Sequence, residues 1–366
     1  MKNSLNKSAI ERIGNSFAAA WPDFSVDVFT AQATEGVDGL ELKMRVNAII
    51  EVLAQHLPDD FEMCVPILYK VKDVWIKGDT ADAYQVFAAW PVIDYVAVYG
   101  VNRPDLALPL LKHLTSLFSA EFAIRPFIEA HPQLCHTFFT RWIVDPDEHV
   151  RRLVSEGTRP RLPWASKLAI FIENPSLNTV LLAQLKDDSS LYVRRSVANH
   201  LNDIAKDHPE VVLDLCESWI KNANEQVKWL IKHATRGLVK QGNKRVYPLL
   251  GYTPDPCIEK VVLDIQCKQI DLGQRLQFKV SICSGAISSQ NMVVDYAIGF
   301  MKANGVCRDK VFKLKNITIS QKQTLVLDKS HLLKAITTRR YYSGVQTLKI
   351  LINGVEVAKS KFELSC

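Results

Sequence analysis

Several common signatures are missing from this 366-residue chain. No apolar run approaches the roughly 20 residues that cross a bilayer, which argues against a membrane protein. The opening stretch MKNSLNKSAIERIGNSF has no continuous apolar core, so no signal peptide is expected. Eight cysteines are scattered from position 64 to position 366, and none forms a CxxC or a Cys/His cluster with zinc spacing. Reduced thiols in a cytoplasmic protein without a metal site are the expectation. P-loop, GxGxxG and metal-ligand motifs are absent too, so no cofactor is expected.

What is present is ordinary soluble composition, 48% hydrophobic and 23% charged. The net charge of +6 is placed unevenly. From Pro254 onward there are 17 basic and 9 acidic residues, against 28 and 30 in the 253 residues before. A basic C-terminal module on a near-neutral body suggests a polyanionic partner, although a solvated basic surface would look the same.

Two periodicities divide the chain. Up to about Gly251 the pattern is helical, as in AIERIGNSF, where Ile10, Ile13 and Phe17 share a face, and in KMRVNAIIEVLAQHL. An internal repeat anchors on Ile124, Val150, Val193 and Val227. Its last three copies carry a cap signal at Asp145, Asp188 and Asn222, with Glu148 and Glu225 in capping-box positions. Degenerate two-helix repeats of this length predict a HEAT-like α-solenoid. After YPLLGYTPDP the period changes to that of strands. Seven short strands and an Asn353–Gly354 hairpin signal predict an all-β, immunoglobulin-like sandwich without the Cys–Trp–Cys pattern of antibody domains. The expected domains are 1–252, a repeat domain, and 253–366, the sandwich.

The repeat helices differ on their polar faces. Val150, Leu153, Val154 and Gly157 form the buried stripe of the first copy, leaving Arg152, Glu156 and Arg159 opposite. The second copy presents Arg195, Asn199 and Asp203, and the third Trp229, His233 and Arg236. Stacked copies would line one surface with Arg152, Arg159, Arg195 and Arg236, which suits a phosphate backbone and equally suits plain solubility. Glu156 admits two readings. It can make a helix-surface ion pair worth a few tenths of a kcal/mol. Alternatively, a carboxylate among phosphate-binding arginines awaits a cation, such as an alkylated base or the oxocarbenium-like sugar it leaves. Trp164 is either a core residue between repeats or an aromatic wall for such a cation. Glu121, ahead of anchor Ile124, can point into the same cleft.

HVRRLVSEGTRPRLPWA, preceded by FAIRPFI and followed by VRRSVANHLNDIAKDHPE, resembles the AlkC-type bacterial DNA alkylation-repair glycosylases. These are relatives of the AlkD-type enzymes in the HEAT-like repeat superfamily. The resemblance covers the helical part, and the sandwich resembles the Ig-like domain of one AlkC branch. It implies base excision repair: hydrolysis of the N-glycosidic bond of cationic bases such as 3-methyladenine, 3-methylcytosine and 1-methyladenine, without base flipping. By motif position Glu156 would be the catalytic carboxylate, Trp164 the aromatic wall, Glu121 and Asp203 supporting acids, and Arg152, Arg159 and Arg195 backbone clamps. The partner would be double-stranded DNA bearing alkylated bases, bound by a monomer that joins the nucleoid when on DNA. In the sandwich, Lys310, Lys313, Lys315, Arg339 and Arg340 are candidate contacts, with TTRRYYSG (Thr337–Gly344) the expected probe loop. The rival readings are a non-catalytic HEAT-repeat scaffold and a protein that binds alkylated DNA without cleaving it.

Overall fold

The structure, a computed structural model, describes residues 2–79, 81–336 and 339–366. Sixteen α-helices among the described residues precede eight strands. The change from helix to strand falls between Leu249 and Ile258, as the change of period predicts. None of these helices is long and apolar enough to cross a membrane.

Three repeat helices, Glu148–Gly157, Leu191–Ile204 and Glu225–Ala234, each start on a side-chain cap. Asp147 accepts from the His149 N–H at 2.8 Å, Ser190 from Tyr192 at 3.2 Å and Asn224 from Val227 at 2.9 Å. Each cap satisfies an N–H that has no partner in its own helix. The caps lie two residues after the expected Asp145, Asp188 and Asn222. Asp145 and Asp188 instead accept from the N–H of Asp147 and Ser190, shaping the turn that leads into the cap. Glu148 and Glu225 are thereby first helical residues. They complement the helix dipole and do not close a capping box.

The anchors are buried as expected: Val150, Val193 and Val227 are at most 4% exposed, and Ile124 is fully buried. Ile124 does not lie inside a helix; it precedes the short Arg125–Ala130 helix, and Glu121 sits in the turn before it. Gly157 lets the Glu148–Gly157 helix approach this turn, since a Cβ there would meet Ile124 Cγ2 at 2.5 Å.

The strands are β1 Ile258–Ile265, β2 Gln269–Asp271, β3 Arg275–Ser284, β4 Gln290–Met301, β5 Cys307–Ile319, β6 Thr324–Leu332, β7 Gly344–Ile352 and β8 Val355–Ser365. They form a three-stranded sheet, β1-β3-β6, and a five-stranded sheet, β2-β8-β7-β4-β5. Seven of the eight match the alternating segments. The additional one, β2, is three residues long and runs parallel to β8, too short to show a period. Phe278, Val280, Val294, Tyr296, Ile298, Leu348 and Ile350 alternate inward to make the core between the sheets.

The chain forms two compact units, one ending at Asp207 and one starting at His208. The second therefore includes the last four helices as well as the sandwich, whereas the change of secondary structure lies near residue 252. The reason is a close backbone approach. The Arg236–Gln241 helix ends on Gly242, with φ 74°, and the β7–β8 hairpin turns at Asn353–Gly354, with φ 45° and 75°. A Cβ on Gly354 would lie 2.2 Å from Gly242 Cα, so the absence of a side chain at Gly354 permits this backbone contact. Asn353 secures the turn: its amide donates to Thr253 O at 2.7 Å and accepts from the Val293 N–H at 2.9 Å.

Candidate active site

The Glu148–Gly157 and Leu191–Ile204 helices pack side by side. Their facing polar residues are not a solvent surface. Glu156 is 5% exposed, Arg159 7% and Asp203 2%. This corrects the polar-face expectation for all three. The Arg159 guanidinium lies between the two acids, with Nη1 2.6 Å from Glu156 Oε1 and Nε 2.8 Å from Asp203 Oδ2. Ser196, from the second helix, donates to Glu156 Oε2 at 2.5 Å. Lys206 donates to the other oxygen of Asp203 at 2.8 Å.

The chain of charges continues outward. Arg152 Nη2 stands 3.8 Å from Glu156 Oε1, while its Nη1 donates to Glu121 Oε2 at 2.7 Å. Its guanidinium lies 4.4 Å from the centre of the Tyr192 ring. Ser119 also donates to Glu121. The order is Glu121, Arg152, Glu156, Arg159, Asp203: three carboxylates separated by two arginines. Burial opposes the charge on both arginines, but the neighbouring acids outweigh it and hold them protonated. Glu121, Arg152, Tyr192 and His149 line an open cleft of about 320 Å³. Glu121 is thus the acid at the cleft, with Glu156 and Asp203 behind it.

This placement separates the arginines proposed as clamps. Arg159 is enclosed by its acids and is a strut within the site, not a surface clamp. Arg152 borders the cleft. Arg195 is exposed on the Leu191–Ile204 helix.

Beyond the helix, Leu162–Ala165 forms a tight turn closed by the Ala165 N–H donating to Leu162 O at 3.3 Å. Pro163 takes the second position and Trp164 the third, with φ 68°. That third slot is the one a type II turn reserves for glycine. A bulky residue in left-handed conformation carries strain of order 1–3 kcal/mol, and such strain concentrates at functional positions. Trp164 is also 65% exposed, so it is not a core residue stitching repeats.

Residues that the repeat pattern did not single out hold this region in place. Arg125, 2% exposed, donates from Nη1 to Gly157 O (3.0 Å) and Arg159 O (2.9 Å), and from Nη2 to Ser166 O (2.5 Å). It ties both ends of the segment that carries Arg159 and Trp164. Burial lowers its guanidinium to about 10. His200, fully buried, donates to Ser155 O at 2.9 Å, and burial pushes it down to about 3, so the ring is neutral. Asn178 donates to Thr158 O at 3.1 Å. Arg125 stood in the sequence as one cation inside FAIRPFI, a signal readable only once its carbonyl partners, more than thirty residues away, are known.

The second unit holds the remaining candidates. Trp229, 36% exposed, stacks on His233 with ring centres 5.2 Å apart, and Arg236 bonds the His233 carbonyl. Arg339 lies over Phe300 at 4.2 Å and Arg340 over Tyr342 at 5.5 Å. Together with Lys302 and Arg308 they line an open basic cleft of about 600 Å³. Lys302 and Arg308 come from β4–β5 and were not expected there. Thr337 and Thr338 of TTRRYYSG lie outside the described residues. Lys310 lies over Phe312, while Lys313 pairs with Asp295.

Residues 260–366 match the family model described as "Uncharacterised protein YhaZ, C-terminal Ig-like domain". The chain is 34% identical over 355 residues to the uncharacterised protein YhaZ of Bacillus subtilis, covering 97% of this chain and 96% of that one. It is similar along its whole length to the Pseudomonas fluorescens alkylpurine DNA glycosylase AlkC, solved bound to DNA containing an abasic site analogue. There the identity is 36%, the coverage 100% and 99%, and the TM-score 0.91.

Proposed function

Since the chain belongs to the AlkC and YhaZ family, with its helical repeat region and C-terminal Ig-like domain, we propose that it is an alkylation-repair DNA glycosylase acting on cationic N-alkylated bases. The observation that carries this reading is the acid–arginine chain from Glu121 to Asp203. A base alkylated to a cation needs no protonation to leave. The C1′–N bond breaks with its electron pair going to the base, which becomes neutral, and an oxocarbenium-like sugar remains. A fixed carboxylate stabilises that sugar and takes a proton from the water that adds to C1′.

Glu121 at the cleft and Glu156 behind it are the carboxylates for this work. Asp203 and Arg159 hold Glu156 in position, and Ser196 fixes its second oxygen. Arg152 borders the cleft, but Glu121 and Glu156 claim its charge, so its role is to position those two acids. Trp164 offers an aromatic face to a cationic base or sugar. Glu121, the carboxylate that lines the cleft, favours a cationic over a neutral base without a shape-matched pocket. The basic cleft of the sandwich and the exposed Arg195 add grip on the phosphate backbone.

The test is base release from duplexes carrying 3-methyladenine, 3-methylcytosine, 1-methyladenine or 7-methylguanine, beside a duplex with a neutral lesion such as uracil. Release of the cationic bases and retention of the neutral one is expected. Tight binding without release of any base would move the protein to the class that binds alkylated DNA without cleaving it.

A further inference from the structure

Tyr192, the second residue of the Leu191–Ile204 helix, lines the cleft beside Glu121 and Arg152. It occupies the repeat position just before the anchor, where the other two copies carry His149 and Gln226. The helix start fixes where it stands. The Tyr192 N–H donates to the cap residue Ser190 at 3.2 Å, and the Ser190 hydroxyl in turn bonds Glu148 at the start of the preceding repeat helix. The ring thereby reaches the Glu148–Gly157 helix and meets two side chains three residues apart on one face of it. His149 packs against it at 69°, with ring centres 5.6 Å apart. The Arg152 guanidinium lies over the ring, 4.4 Å from its centre.

The bonding of Arg152 gives that contact a purpose. Its hydrogen bonds among the described residues, to Ser119 Oγ at 2.8 Å and to Glu121 Oε2 at 2.7 Å, both leave from Nη1. Nη2 stands 3.8 Å from Glu156 Oε1, an ion pair too long for a hydrogen bond. A planar group held at one corner is free to swing about that corner. Swinging would draw Arg152 wholly to Glu121 and leave Glu156 with Arg159 as its cation. A ring against the guanidinium blocks motion out of the plane, and a cation over an aromatic face is itself attracted to it. Burial raises the phenol above its ordinary value, with Arg152 opposing, and the ring stays neutral beside the cation.

We propose that Tyr192 is a positioning residue of base excision: its ring holds the Arg152 guanidinium in the plane that bridges Glu121 and Glu156, and its hydroxyl is dispensable. This inference rests on the glycosylase reading. Two carboxylates of like charge keep their places only while the cation between them keeps its own. A sugar cation is best stabilised by charges already in place when it forms. Tyr192 acts through Arg152 and touches no reacting atom.

Single-turnover excision of whichever cationic base the wild type releases fastest is measured across a range of enzyme concentrations. This separates the chemical step from half-saturation. Tyr192→Phe keeps the ring and should match the wild type. Tyr192→Leu keeps apolar bulk without an aromatic face. It should slow the chemical step at least about fivefold at unchanged half-saturation, because small misplacements of catalytic groups are costly. Arg152→Lys replaces the plane by a point charge, so adding Tyr192→Leu to it should cost less than about a further twofold. Tyr192 is 38% exposed, and these variants are expected to fold. Tyr192→Met takes the place of the Leu variant if thermal melting shows that it does not. A Leu variant slowed less than this, a Phe variant as slow as the Leu one, or costs that multiply in the double variant each overturn the role. If the wild type releases no cationic base, the glycosylase reading falls and this inference falls with it. Release by the wild type at a rate that Tyr192→Leu matches removes this inference alone.

Discussion

Glu156, Arg159 and Asp203 in the first unit are each less than a tenth exposed, and both Arg152 and Arg159 face carboxylates. In the second unit Lys302, Arg308, Arg339 and Arg340 line an open cleft, with Arg339 and Arg340 over aromatic rings. Arginine serves in both regions, and its environments are opposite. Buried alternating charges hold one another to fixed positions and are little screened by salt. Open cations keep condensed counterions until a polyanion displaces them, so their contribution varies with ionic strength. On the proposed function, the first region would fix a potential at a point and the second would grip the phosphate backbone.

The sharpest way to break this contrast is to unpair the buried acids. Arg159→Met leaves Glu156 and Asp203 without their shared cation, and removing one partner of a buried pair typically costs about 3–5 kcal/mol. Chemical denaturation should show that loss; a change below about 1 kcal/mol would mean the network is as soft as a surface ion pair. Glu156→Gln keeps the shape and removes the charge. Excision should fall by about 10²–10³ at nearly unchanged affinity for undamaged DNA, measured under single-turnover conditions. A rate near wild type would assign the chemistry to Glu121 alone.

His200 tests the rigidity of the same region. Its folded pKa, about 3, lies below the usual 6.5. The unfolded chain therefore binds a proton that the folded chain refuses between these values. The stabilisation is complete above pH 6.5 and is lost as pH falls toward 3, with roughly 2 kcal/mol gone by pH 5. Stability plotted against pH, from denaturation at pH 7 and pH 5, should differ in slope between the wild type and His200→Asn. Parallel curves would show that the imidazole protonates without opening the structure.

On the open side, Arg339→Ala with Arg340→Ala should lower the slope of log affinity against log salt by about 2, one for each phosphate no longer neutralised, without changing excision at saturating enzyme. An unchanged slope in a salt titration would reduce that cleft to surface charge. The smallest effect is expected at Trp164. Trp164→Gly relieves the left-handed backbone and should leave stability equal or about 1 kcal/mol higher, while excision slows. A fall in melting temperature would reinstate the core reading that its 65% exposure argues against.

Much of this architecture is local, and local architecture is written in the chain. The 3.6-residue spacing of Val150, Leu153, Val154 and Gly157 placed one helix face inward whatever it packed on. The alternation in RLQFKVSIC and VQTLKILI set β3 and β7, and Asn353–Gly354 set the hairpin, because each depends on neighbours a few residues apart. Three-residue β2 escaped because it exists only through its pairing with β8, almost a hundred residues on. The motif residues themselves, Glu121, Glu156, Trp164 and Asp203, were also legible as candidates. Tertiary structure alone decided their environments. A helical wheel gives a residue two choices, inward or outward, and Glu156 took a third, a polar face buried against Ser196 and Arg159 of other segments. Desolvation depends on what packs over a side chain, and that depends on contacts more than thirty residues away, such as Arg125 to Gly157 and Arg159 to Asp203. The same reason moved four helices into the company of the sandwich: two glycines, Gly242 and Gly354, come within backbone contact across more than a hundred residues of chain.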